Sequence, residues 1–372
     1  MKRPRPTLKD IASFSTALLI IGMLVAPMPY VTVGPGETRN VLGTMESAKG
    51  EVVPVITIEG TASPAGSGQL LFTTVGVTGS PDTPLAAMDV LRAWINPEQT
   101  VSPVEAYFPA DSTTEQVQQE SQAEMESSQH NAAVAALTEL GYTVPVTLTV
   151  KGTVTREQAG LAANDTIPRA MDVLKDGDVL KSVDGHKVTT YQAVLTRIAS
   201  LQADTPIDVV VQRGGKDVTV RFAPYADGSA GEGASSIKLG VLLEPDYDLP
   251  VSVTINAQNV GGPSAGMMFA LGIVDELGKE DLTGGAIIAG TGTIDVQGNV
   301  GAIGGIDHKI VGASKAGATW FLAPESNCTD ITQNPPKGIS IVAVKTLSQA
   351  VDVLGDIKAG KTDDLPRCAG VG

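Results

Sequence analysis

Apolar and polar positions alternate, cluster and recur differently along the chain, and the changes divide it. Ile11 to Val33 runs without a charge through FSTALLIIGMLVAPMPY. VVPVITIEG and SGQLLFTTVGVTG read as two β segments joined by the turn-rich TASPAGSG. From Thr113 to Leu140 the pattern becomes Glu/Gln-dense and helical, with Ser112 or Thr113 able to cap it and Gly141 able to stop it. Between about 145 and 225, VPVTLTVKGTV, VLKDGDVLKSVDGHKV, the helically spaced YQAVLTRIASL, IDVVVQR and KDVTVRF follow. Gly214-Gly215 between the last two alternating runs is a hairpin signal, because both turn positions can take positive φ. ADGSAGEGASS (226–236) reads as a flexible linker. From Ile237 to Lys358 strand and helix signals alternate between Gly-rich joints, which suits an α/β or α+β domain.

The charge-free run follows Lys2, Arg3, Arg5 and Lys9, and no basic residue comes after it until Arg39. Its length and flanks predict a single-pass membrane anchor, N-terminus cytoplasmic and the remainder extracytoplasmic. Val25-Ala26-Pro27 is a poor cleavage site, so the anchor is expected to be retained rather than removed as a signal peptide. The fold class expected is therefore an α+β multidomain chain. It comprises a tip and transmembrane helix (1–33), a juxtamembrane β-rich region with a long helix (34–144), a β domain (145–225), a linker (226–236), a C-terminal α/β domain (237–358) and a tail (359–372).

Composition narrows function. The 372 residues carry 26 Lys+Arg against 41 Asp+Glu, a net charge of −15, which argues against nucleic-acid binding because phosphate recognition needs a basic face. Aromatics are only 4%, with 41 Gly and 23 Pro, so the core rests on small aliphatic residues and many tight turns. The two cysteines, Cys328 and Cys368, are candidates for a disulfide holding the tail, and spacing alone does not decide it. Two cysteines without a nearby histidine are a weak metal signal. No cofactor or metal is expected.

Candidate chemistry lies in Asn259-Val-Gly261-Gly262-Pro263-Ser264-Ala265-Gly266, between a strand pattern and an apolar helix. A serine there projects its hydroxyl while first-turn N–H groups, those of Ser264 or Ala265, face a developing oxyanion. Equally, Ser264 could simply cap the helix. A hydroxyl nucleophile needs a base. His130 and His186 belong to other segments, which leaves His308 and Lys309, and adjacent helical residues point about 100° apart, so only one faces Ser264. Lys309, 45 residues after Ser264, sits where a helix N-terminus and desolvation both favour a neutral amine.

Two resemblances follow from these residues. Leu174-Lys-Asp-Gly177-Asp178-Val179-Leu180 with Val183-Asp184-Gly185 resembles a bacterial protease-associated PDZ domain, which would bind peptides by strand addition. Gly262-Pro263-Ser264-Ala265-Gly266, Gly290-Thr291-Gly292 with Ile294, Gly298-Asn299-Val300, Ile303-Gly304-Gly305 and Lys309 resemble the proteolytic domain of Lon-family Ser-Lys peptidases, over about 237–358. That resemblance implies Ser264 as nucleophile, Lys309 as general base, Thr291 holding the lysine, protein or peptide substrates and a six-membered homo-oligomeric ring. The whole-chain order is similar to that of membrane-anchored Lon-like proteases of Gram-positive bacteria. Nothing in the chain reads G-x-x-x-x-G-K-[ST], so ATP-independent cleavage is expected. The acidic residue that many bacterial Lon enzymes carry three positions before the serine is Gly261 here. The rival readings are a catalytically weak or silent scaffold that presents peptides, and a Ser-His hydrolase using His308.

Overall fold

The computed structural model describes residues 8–47, 49–59, 67–110, 112–162, 165–227, 237–258, 260–278, 281–332 and 335–368. The tip 1–7, most of the 226–236 linker, most of the turn at 60–68 and the end of the tail lie outside the described residues.

In chain order, helix α1 (Leu8–Val25) precedes β1 (Tyr30–Asn40), β2 (Gln69–Thr78), β3 (Thr100–Pro103) and helix α2 (Thr114–Glu139). Then come β4 (Val146–Thr153), β5 (Val179–Val183), helix α3 (Tyr191–Ala199), β6 (Ile207–Arg213), β7 (Lys216–Phe222) and β8 (Val241–Tyr247). Helix α4 (Gly266–Leu277), β9 (Ile287–Gly290), helix α5 (Ile306–Lys315), β10 (Trp320–Pro324), β11 (Ser340–Val344) and helix α6 (Leu347–Lys358) complete the set. Met1–Leu140 and Val253–Gly372 form one compact unit, and Gly141–Ser252 forms a second.

The first unit is built on one six-stranded sheet in the order β11-β10-β9-β2-β1-β3. β9, β10, β11 and β2 run parallel, whereas β1 is antiparallel to both of its neighbours. Segments 34–144 and 237–358 thus share a sheet. β2 is not half of a hairpin with the strand before it. Ile56–Ile58 pairs with Val253–Ile255, and β2 lies centrally with Leu70, Leu71, Phe72 and Thr73 buried. A strand buried on both faces shows a continuous apolar run rather than alternation. Phe72 meets Phe269 of α4 with ring centroids 5.3 Å apart. α4 is buried almost all round, as its near-continuous apolar sequence GMMFALGIV requires.

The membrane-spanning anchor, and with it the single-pass localisation and the transmembrane element of the fold class, is corrected by the N-terminus. Among the described residues no helix is long and apolar enough to cross a membrane. The charge-free run is divided between two elements. Lys9 and Asp10 fall within α1, so its uncharged part is Ile11–Val25, about 22 Å at ~1.5 Å per residue against a hydrocarbon core of about 30 Å. The rest leads into β1, whose Val31 and Val33 are buried in the sheet. Only that end of the run is core: Phe14, Leu18, Leu19 and Ile21 of α1 are exposed.

α2 starts as its sequence predicts. Thr113 Oγ1 accepts from the Gln116 N–H at 3.1 Å, and Gln116 Oε1 accepts from the Thr113 N–H at 2.8 Å, a reciprocal capping box. Its Ala-rich second half, Ala132–Leu137, is buried. The second unit is an antiparallel sheet in the order β7-β6-β5-β4-β8. Gly214 and Gly215 take φ of 58° and 80°, closing β6 on β7 with Arg213 opposite Lys216.

Candidate active site

Ser264 stands in the turn that opens α4, Thr291 directly follows β9, and Lys309 occupies the first turn of α5. Three separated segments therefore converge. Lys309 Nζ lies 2.7 Å from Ser264 Oγ and 2.9 Å from Thr291 Oγ1, and Thr291 Oγ1 donates to the Ser264 carbonyl at 3.0 Å. Lys309 is 2% exposed and Thr291 0%, while Ser264 is partly open. Burial pushes the Lys309 amine down to about 8, because a low-dielectric site disfavours the charged form.

The turns hold these groups by backbone stitching. Gly292 N–H donates to the Ser264 carbonyl at 2.8 Å, and Met267 N–H donates to the Gly292 carbonyl at 3.1 Å, which locks the Gly290-Thr291-Gly292 segment to the serine turn. Gly305 enters α5 at φ 68°, a left-handed backbone that glycine adopts without penalty. The Lys309 N–H then donates to the Gly305 carbonyl at 3.2 Å.

Helix α2 supplies contacts that sequence reasoning missed. Ser128, buried, donates from Oγ to the Pro263 carbonyl at 2.9 Å, and the Ser121 carbonyl accepts from the Gly262 N–H at 2.9 Å. Asn131 Nδ2 donates to the Ile294 carbonyl at 3.3 Å. A Cβ on Gly261 would meet Ser121 Oγ at 2.2 Å, so α2 occupies the space a longer side chain would need at that position. None of this is signalled locally, since Ser121 and Ser128 lie more than 130 residues before Ser264.

The other candidates point elsewhere. His308 is buried with Nε2 3.1 Å from Thr100 Oγ1, and Asp307 Oδ2 accepts from Thr332 Oγ1 at 2.7 Å, so neither is joined to Ser264. His186 Nδ1 contacts the Asp184 carbonyl, and both His186 and His130 are exposed. The cysteines form a Cys328–Cys368 disulfide.

With this geometry in view, comparison with known proteins is specific. Residues 243–357 match the model of the Lon protease (S16) C-terminal proteolytic domain. The segment that carries Ser264, Thr291 and Lys309 is thus similar to a Lon-type proteolytic domain. Lon protease 1 of Bacillus subtilis (strain 168) is 33% identical over 120 residues, 30% of this chain and 15% of that protein. The Lon protease of Clostridioides difficile (strain 630) is 27% identical over 167 residues, 42% of this chain and 21% of that protein. The chain thus spans only about a fifth or less of the length of these relatives. Among solved structures, the PDZ domain of an SdrC-like protein from Listeria monocytogenes aligns at 21% identity and a TM-score of 0.20, over 26% of this chain and 85% of that one. Ser264, Thr291 and Lys309 all fall inside the Lon-type segment, whereas Ser121 and Ser128 fall outside it.

Proposed function

We propose that the chain is an ATP-independent serine endopeptidase acting on protein substrates, with Ser264 as nucleophile and Lys309 as general base. The observation that carries this reading is the 2.7 Å approach of a buried lysine amine to a partly open serine hydroxyl. Proton positions follow from the hydrogen bonds. The Thr291 hydroxyl proton is committed to the Ser264 carbonyl, so its oxygen accepts from Lys309. A neutral amine donating to Thr291 keeps its lone pair for the Ser264 O–H.

The amine takes the Ser264 proton as Oγ bonds to the scissile carbonyl carbon, and the carbonyl oxygen becomes an anion. The Gly262, Gly266 and Met267 N–H groups are already engaged with the Ser121, Pro263 and Gly292 carbonyls. Those of Ser264 and Ala265, at the head of α4, are the donors assigned to the oxyanion. The Lys309 ammonium then protonates the leaving amine as the C–N bond breaks. Water attacks the acyl-enzyme, giving its proton to the same amine, and the ammonium passes that proton to Ser264 Oγ as the acyl C–O bond breaks, releasing the acid and restoring both groups.

Two further parts belong to the same proposal. The unit Gly141–Ser252 is read as a PDZ-type peptide-binding module, supported by its six-stranded antiparallel sheet, in which the short strand His186–Lys187 also pairs with β5, and the Leu174–Leu180 and Val183–Gly185 segments. Titrating the chain with labelled C-terminal peptides tests it, and no saturable binding would refute it. A six-membered ring, implied by the Lon resemblance, is tested by sedimentation of the purified chain.

Digestion of unfolded casein without ATP tests the enzyme. The wild type is expected to cleave, and Ser264→Ala and Lys309→Ala to lose on the order of 10⁴-fold or more, because a nucleophile and its base act as a unit. Near-full activity in Lys309→Ala would sink the dyad.

A further inference from the structure

Lys309 reaches Ser264 only if the chain entering α5 is held in place, and that entry holds itself poorly. Gly304 and Gly305 bring no side chain, and Gly305 turns through the left-handed region. The hold comes from a later segment, the 3₁₀ turn Glu325–Asp330 and the residues just after it. Asn327 in that turn is 1% exposed. Its Oδ1 accepts from the Ile303 N–H at 2.8 Å, and its Nδ2 donates to the Ile303 carbonyl at 2.9 Å and to Asp330 Oδ2 at 2.7 Å. With a carbonyl and a carboxylate as acceptors on one side, the amide has one orientation that satisfies all three bonds.

Two more ties join the same segment to the same helix entry. Cys328, next to Asn327, is bonded to Cys368, which is buried in the apolar cluster that contains Ile306 and Ile310 of α5. Thr332 donates to Asp307 Oδ2. The anchors at Ile303 and Asp307 straddle Gly304-Gly305, each two residues from Gly305, which starts the turn carrying Lys309.

We propose that Asn327 is the positioning residue for the general base: by clamping both backbone groups of Ile303 it fixes the first turn of α5 so that the Lys309 amine meets Ser264. This rests on the Ser-Lys reading above. A merely structural role predicts something different. Ile303 is only partly buried, so its freed N–H and C=O can turn to water at modest cost, whereas a loosened first turn admits water to the lysine.

The charged groups on elements packed against α5 are Glu37 and Arg39 of β1 and Glu325 and Asp330 of the 3₁₀ turn, with Asp307, His308 and Lys315 on α5 itself. Burial alone lowers the Lys309 amine, so hydration of that site is what a change in its titration reads.

The test is the titration of the Lys309 amine by NMR in lysine-labelled full-length protein, its resonance assigned by its loss in Lys309→Met. Asn327→Ala and Thr332→Val are compared with wild type after thermal unfolding confirms that each is folded. The wild-type midpoint is expected at about 8, rising by about half a pH unit or more toward the ordinary lysine value in Asn327→Ala and by less in Thr332→Val. In peptide hydrolysis kcat is expected to fall about tenfold in Asn327→Ala with KM little changed, since misplacing a catalytic group acts on the chemical step. A depressed wild-type midpoint left unmoved by the folded variants overturns the role of Asn327 alone, and Thr332→Val decides if Asn327→Ala does not fold. A wild-type midpoint near 10.5 overturns the dyad and this role together.

Discussion

Each of the two units buries a cation, and they treat it in opposite ways. In Gly141–Ser252, Arg169 is 3% exposed, and its guanidinium donates to Asp165 at 3.0 Å, Asp204 at 2.6 Å and the Ala223 and Pro224 carbonyls. Burial is the largest single influence and pulls its pKa down, yet the bonds and charges of Asp204 and Asp165 together hold it above the ordinary value. Asp178, 1% exposed, is kept charged in the opposite sense: its carboxyl is held low, first by the Arg213 guanidinium at 2.6 Å. In the other unit Lys309 meets two hydroxyls, and no carboxylate pairs with it among the described residues, so burial stands unopposed. A buried charge kept with its counter-charge is part of the scaffold. A buried amine given only hydroxyls is kept ready to lose its proton, and such uncompensated groups are where function concentrates.

Replacing Lys309 breaks this contrast most sharply. Arginine keeps a cation at every working pH, so Lys309→Arg is expected to lose about 10³-fold or more in kcat/KM. Lys309→Met is expected to be equally inactive yet more stable than wild type at pH 7. The sign follows from burial pushing the folded amine down to about 8, below its ordinary 10.5. The cost of burying the ammonium is fully present below about 8 and fades as pH rises toward 10.5. At about 1.4 kcal/mol per pH unit this cost is on the order of 3 kcal/mol. Thermal unfolding of both variants at pH 7 and pH 10 checks it: the advantage of Met over wild type should shrink at the higher pH.

The smaller effect lies in the other unit. Asp178→Ala removes a buried partner of Arg213 and is expected to destabilise Gly141–Ser252 by about 2–3 kcal/mol, leaving kcat on a short peptide within about twofold. Because the folded carboxyl is held low, its contribution is present above the ordinary carboxylate range and lost as pH falls through the folded value. Wild type and variant should therefore converge in acid. A large loss of short-peptide kcat would show that the contrast between scaffold charge and reactive charge is drawn in the wrong place.

Much of the candidate site was legible because its residues sit in short glycine-punctuated segments whose order is itself a pattern. The Lon resemblance that those segments carry implies Ser264, Thr291 and Lys309, and the structure brings the three together. The Gly214-Gly215 hairpin was legible for a purely local reason, two residues able to take positive φ. Ser121, Ser128 and Asn327 were not. Each acts through backbone groups of a distant segment, and nothing in the surrounding residues marks such a partner. The N-terminus misled for a different physical reason. An uncharged apolar run serves equally a membrane span, a helix and a central strand, and here Leu8–Val25 and Tyr30–Asn40 divide it. The single sheet shared by β1–β3 and β9–β11 was hidden because the second unit separates the two groups of strands by more than a hundred residues.

Lys309 must be a neutral amine to take the Ser264 proton, and the pH dependence of kcat/KM on a short peptide, without ATP, measures that most directly. It is expected to fall about tenfold per pH unit below a midpoint of about 8 and to level off above it, with His308→Gln keeping the same profile. A flat profile, or a midpoint near 6.5 that His308→Gln abolishes, would contradict it.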